Sequence, residues 1–193
     1  MNIQAEMFNR RAADPKNKPD QILDALRVQQ GQIVADIGAG GGYFSLRFAE
    51  QVGGEGEVLA VDTNTEFLEF IRRSAAAKGL ENVEPVHVSG GDVTLPKQVD
   101  LVFMRNVCHH IPDRPAYFRK LKNFLKPRGR VAIAEYRRAS RLSFRGMFGH
   151  YVPKETLIAE MREAGYELRE DLGFLPQQSF TIFSYEQAER SHR

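Results

Sequence analysis

Short apolar runs alternate along the chain with stretches whose apolar residues recur every three or four positions. The runs at 32–37, 58–62, 83–88, 101–104 and 130–135 read as strands, the fourth entered through Val99-Asp100. Val58-Leu59-Ala60-Val61 is apolar throughout, as a strand covered on both faces by helices would be. Between the runs, helical spacing sets in. Pro19-Asp20-Gln21 opens a helix through Ile22, Leu23, Leu26 and Val28 that stops near Gly31. Further helices are predicted over 42–52, over 64–78 with Phe67, Leu68, Phe70 and Ile71 inward, from Asp113 to Leu125, and from Pro153 to near Gly165. Two last strands, 166–170 and 180–185, are joined by a loop containing Gly and Pro. Alternating strands and helices predict an α/β fold with a doubly wound, mostly parallel sheet.

The ends of the chain lack this pattern. Residues 1–18 are polar and mixed, broken by Asp14-Pro15 and Lys18-Pro19, and are expected to form an arm or lid. One domain is then expected over 19–185, with 186–193 as a polar tail. A length of 193 residues suits one substantial core. Hydrophobic content of 42% and charged content of 27% are ordinary for a globular protein. The net charge of +2 gives no general attraction to nucleic acid or membrane. No apolar run approaches the length of a membrane span. Met1 to Glu6 lacks the basic and apolar regions of a signal peptide. The single cysteine, Cys108, excludes an internal disulfide and a cysteine-rich metal site. A reducing cytoplasm and no metal are the expectation.

The first strand and helix are joined by Asp36-Ile37-Gly38-Ala39-Gly40-Gly41-Gly42-Tyr43. Glycines at a strand-to-helix turn let a ligand approach the backbone. The helix start beyond them offers unpaired N–H groups. A dinucleotide turn, G-x-G-x-x-G, counted from Gly38 would place its third glycine at 43, which is Tyr. The pattern here is an acidic residue followed by G-x-G-x-G. Ligands in open α/β sheets lie beyond the carboxyl ends of the strands, and three further stations fall there. Asp62, with Thr63 after it, ends the second strand; its two oxygens suit a vicinal diol. Gly91-Asp92-Val93 follows the third strand, and Arg105-Asn106-Val107-Cys108-His109-His110 the fourth. Imidazole titrates near neutrality, which makes His109 and His110 candidate bases. Glu135, at the end of the fifth strand, is a pocket carboxylate or a surface charge.

The G-x-G-x-G turn, Asp62, Asp92 and the N-x-x-H-H stretch from Asn106 to His110 resemble class I methyltransferases that use S-adenosylmethionine (SAM). Within that class they resemble the small-molecule group related to the enzymes of quinone biosynthesis and arsenite methylation. The resemblance runs from about residue 20 to 185. It implies a seven-stranded sheet whose last strand is antiparallel, in keeping with the closing strand pair. It implies SAM held by Asp36, Gly38, Gly40, Gly42, Asp62, Thr63, Asp92, Val93, Arg105 and Asn106. Asp62 would take the ribose hydroxyls, Asp92 the adenine amino group and the Val93 N–H a ring nitrogen. His109 or His110 would face a small-molecule acceptor. Arsenic would need several cysteines, and Cys108 is alone. No Asn-Pro-Pro-aromatic tetrapeptide follows the fourth strand, which argues against amino methylation of adenine or glutamine. Before the fifth strand only Gly129 stands where the family usually has two glycines. Residues 137–151 carry four arginines and several aromatics. They suit part of an acceptor pocket, or docking on RNA or protein in a macromolecular methyltransferase. A non-catalytic SAM-binding module is the other alternative, with an NAD-dependent oxidoreductase further off.

Overall fold

The structure, a computed structural model, describes residues 2–137 and 151–186. The basic segment's residues 138–150, and the tail from 187, lie outside the described residues.

Seven strands form one sheet in the order β3-β2-β1-β4-β5-β7-β6. They are β1 (Ile33–Ile37), β2 (Glu57–Asp62), β3 (Val83–His87), β4 (Val99–Arg105), β5 (Leu125–Tyr136), β6 (Glu167–Leu172) and β7 (Gln178–Ser184). The first five are parallel, and β7 runs antiparallel to both β5 and β6. The helices are α1 (Ile3–Ala13), α2 (Pro19–Leu26), α3 (Tyr43–Val52), α4 (Thr65–Ala77), α5 (Arg114–Leu121) and α6 (Lys154–Glu163).

Strand residues alternate between two cores, as a period of two requires. Val34, Val58, Leu101 and Phe103 pack on one face with Ile22, Leu23, Leu26, Phe44 and Phe48 of α2 and α3. Ala35, Leu59, Val102 and Met104 pack on the other with Phe118 and Leu121 of α5 and Leu157 and Met161 of α6. The central strands are apolar on both faces because helices cover both. The edges look different. β3 is half-buried and contains Pro85, a residue an edge strand tolerates because one of its ladders is absent. β6 alternates exposed Glu167, Arg169 and Asp171 with half-buried neighbours, and charges on an edge discourage pairing with a second sheet.

Several boundaries differ from the sequence pattern, each for a local reason. The α2 helix stops at Leu26, because Arg27 takes a left-handed conformation with φ +50°. The end of α5 tightens into a 3-10 turn over Lys122–Phe124. β5 begins at Leu125, and its register against β4 jumps from Val99–Leu125 to Leu101–Arg130. Lys126 to Gly129 stand against Asp100 alone in that irregularity, where the sequence suggests a turn. At the amino end, Ile3–Ala13 is a helix. Asn2 caps it by accepting from the Ala5 N–H at 3.0 Å, and Arg10 and Arg11 lie at its carbonyl end, where cations are favoured.

Candidate active site

The strand order reverses between β1 and β4, and open α/β sheets bind their ligands at that point. A cavity of about 1100 Å³ opens there. It is lined by the glycine turn and by residues that follow β2, β3 and β4. On one side it is walled by Phe8, Asn9 and Arg11 of α1.

The glycine turn divides its work. Gly38 and Gly40 line the cavity with φ of +75° and +56°. The Gly40 N–H donates to Asp62 Oδ2 at 2.9 Å. Gly42 starts α3 with φ +80°, and a Cβ there would lie 2.6 Å from Ile71. It stands behind the cavity, so its need for glycine is steric and conformational. Gly41 is covered by α1: Asn9 Nδ2 donates to its carbonyl at 2.7 Å, and Asn9 Oδ1 accepts from the Tyr43 N–H at 3.1 Å. One asparagine thus clamps α1 to the turn and caps an orphan N–H of α3.

Asp62 lies at the end of β2, on the cavity wall. Its Oδ2 accepts from Gly40 and its Oδ1 from the Asn64 N–H, both at 2.9 Å. The helix cap of α4 is Asn64, so capping does not account for Asp62. Two fixed bonds orient the carboxylate, and each oxygen keeps acceptor capacity for a further donor. Thr63 lines the cavity beside it.

Asp36 is buried at the end of β1, where Ser45 Oγ donates to its Oδ2 at 2.6 Å. Burial, reinforced by the nearby charge of Asp62, raises its pKa from 3.8 to about 6. Arg105 is close enough to oppose that rise. The Arg105 guanidinium lies 5.4 Å over the Phe44 ring. Its Nε is buried without a hydrogen-bond partner among the described residues. Burial lowers its pKa, and the charge of Arg11 adds to that effect. A carboxylate and a guanidinium lining one cavity complement a zwitterionic amino acid.

After β3, Asp92 lines the cavity and is held by Lys120 and by the Val93 N–H. The Lys120 hydrogen bond holds its carboxyl below the usual range. Val93 is buried behind the wall, and its N–H is already bound to Asp92 Oδ1 at 2.8 Å. A purine ring nitrogen there would have to displace that bond.

After β4 the chain turns sharply. Asn106 has φ +57°, a conformation asparagine tolerates better than most residues. Its N–H donates to the Ala134 carbonyl at 2.8 Å, and its Oδ1 accepts from Gln178 Nε2 at 2.7 Å. The 3-10 turn Cys108–His110 follows. Cys108 is fully buried, and burial pushes its thiol pKa up, so it packs as a small apolar residue. His109 and His110 both line the cavity. His110 is exposed, whereas the His109 side chain is 6% exposed and its Nδ1 lies 2.9 Å from Glu135 Oε1. Glu135, ambiguous in sequence, is a fully buried side chain.

The structure therefore brings Asp36, Gly38, Gly40, Asp62, Thr63, Asp92, Arg105, Asn106, His109 and His110 to one cavity, and sets Gly42 and Val93 behind it. It adds Phe8, Asn9 and Arg11, for which helical periodicity over 3–13 was too weak a signal.

The fold, and the cavity where the strand order reverses, fit a methyltransferase domain. The family model described as a methyltransferase domain matches residues 29–173, and the chain belongs to that family. The chain is 27% identical over 154 residues to phosphoethanolamine N-methyltransferase 1 of Triticum aestivum, covering 78% of this chain and 28% of that one. It is 26% identical over 132 residues to demethylmenaquinone methyltransferase of Listeria monocytogenes, covering 68% of this chain and 56% of that one. It thus spans about half, or less, of these relatives' length. Among solved structures, a SAM-dependent methyltransferase from Aquifex aeolicus shares the fold, with a TM-score of 0.81, 19% identity and coverage of 94% and 98%.

Proposed function

We propose that the protein transfers the methyl group of SAM to a small-molecule acceptor. One observation carries this reading: a single cavity joins the glycine turn and Asp62 to Asp36, Arg105 and His109. The pieces fit SAM part by part. Asp62 would take the ribose hydroxyls, and Asp92 the adenine amino group. Asp36 would face the α-ammonium, while Arg105, whose Nε has no partner among the described residues, would face the α-carboxylate. When bound, SAM supplies a methyl group already activated by its sulfonium, so the protein's main contribution is alignment. Tyr43, Phe44, Ile111 and Tyr117 give the cavity the apolar and aromatic lining usual for a small molecule. The alternative of RNA or protein as acceptor rests on 137–151, most of which lies outside the described residues.

Calorimetry should show binding of SAM and S-adenosylhomocysteine and none of NAD. NAD binding without SAM binding would end this reading. Incubating labelled SAM with a fractionated cell extract then identifies the acceptor class. Label entering RNA or protein in place of small molecules would overturn that part.

A further inference from the structure

We infer that Glu135 is a positioning residue, which sets the His109 ring as a base for an acceptor hydroxyl. The inference deepens the methyl-transfer reading and rests on it. Glu135 is the last residue but one of β5, paired with Ser179 of β7, and has no exposed side-chain surface. Its Oε1 lies 2.9 Å from His109 Nδ1 and accepts from the Tyr136 N–H at 2.9 Å. Its Oε2 is buried with no partner among the described residues. A buried carboxylate with an unsatisfied oxygen is costly to keep. A sheet end with no chemistry to perform would be filled more cheaply by an apolar residue.

The hydrogen-bond roles follow from Oε1. It already accepts from a backbone N–H, so it accepts from Nδ1–H as well. The neutral ring then carries its proton on Nδ1, and Nε2 is the basic nitrogen. This is the arrangement in which a carboxylate fixes the tautomer of a catalytic imidazole. Other charges face the pair. The His110 ring centroid lies 4.1 Å from that of His109. Arg114, tied to Glu160 of α6, donates to the Cys108 carbonyl and feels the Glu135 charge. An acceptor that is already a good nucleophile needs no such base. A hydroxyl does, and its proton would pass to Nε2 as the oxygen lone pair forms the new bond to the methyl carbon. The carbon–sulfur bond breaks with its electrons going to sulfur, and the imidazolium returns the proton to water.

The test uses the full chain with ¹⁵N-labelled histidine and two substitutions. Glu135→Gln keeps an oxygen that accepts from Nδ1, and Glu135→Met removes it. NMR should place the ring proton on Nδ1 in the wild type and in Glu135→Gln, and shift it to Nε2 in Glu135→Met. Turnover on the acceptor fraction should fall by about 10²–10⁴ in His109→Gln, and the rise of turnover with pH that a general base imposes should vanish. Glu135→Met should lose at least about tenfold, with Glu135→Gln in between, and SAM affinity should stay within about twofold throughout. A proton on Nε2 in the wild type, or full turnover in Glu135→Met, would overturn the inference. If Glu135→Met does not fold, the near-isosteric Glu135→Gln decides: turnover and pH profile identical to wild type would also overturn it. The tautomer measurement needs no cofactor, so wild-type protein that fails to bind SAM would instead end the methyl-transfer reading.

Discussion

Asp36→Asn tests whether the site stores free energy at the end of β1. Burial raises the Asp36 pKa from 3.8 to about 6. The folded state therefore binds more protons than the unfolded state between those values. The sign follows from linkage: a protonated Asp36 costs nothing below pH 3.8, and the penalty grows as pH rises through about 6. A rise of about two units at 1.36 kcal/mol per unit is about 3 kcal/mol at pH 8, and about half of that at pH 5. Asparagine carries no charge, and its carbonyl still accepts from Ser45. Asp36→Asn should therefore stabilise the ligand-free protein by up to about 3 kcal/mol at pH 8, roughly 6–12 °C in Tm for a domain of this size. At pH 5 the gain should shrink by about half. Urea titrations of both proteins at the two pH values measure it. The same change should weaken SAM binding if, as proposed, Asp36 is the charged partner of the α-ammonium. A gain equal at pH 5 and pH 8, or no gain at either, would refute the account of Asp36 as a strained buried charge.

Three further outcomes follow. Asp62→Ala should weaken SAM binding by about 1.5–3 kcal/mol, the value of a hydrogen bond to a charged group; calorimetry measures it. Some stability should go with it, since the Gly40 and Asn64 N–H groups lose their acceptor. Gly40→Val should abolish SAM binding while the chain still folds, as circular dichroism can confirm: its Cβ would meet only Phe8, at 3.5 Å, though φ is +56°. Gly42→Ala should instead destabilise the domain by about 1–3 kcal/mol in chemical unfolding, because the methyl would meet Ile71 at 2.6 Å.

The sheet was legible because its signals are local. Apolar runs such as Val58 to Val61, bounded by glycines and polar residues, have no other reading in an alternating chain. Asp62 and the glycine turn were legible for the same reason, lying at a strand end and a strand-to-helix junction. What escaped depends on distant contacts. The helix over Ile3–Ala13 buries only Ala5 and Ala12, so it shows no apolar stripe, and its value lies in Asn9 reaching the glycine turn. Glu135 looks like any strand-end charge until β4 and β5 are paired and His109 falls beside it. The separate role of Gly42 needed Ile71, which comes from the next helix.

The bond from Gln178 to Asn106 spans 72 positions of sequence. It ties the sharp turn that presents Arg105 and His109 to the last strand of the sheet, itself slotted between β5 and β6. During synthesis, then, the first five strands form a cavity that still lacks this bond. The wall that carries Arg105 and His109 gains this anchor only after residue 178 has left the ribosome and β7 has inserted. A chain cut short in the loop after β6 would lack the anchor of that turn, so completion of the sheet and completion of the site coincide.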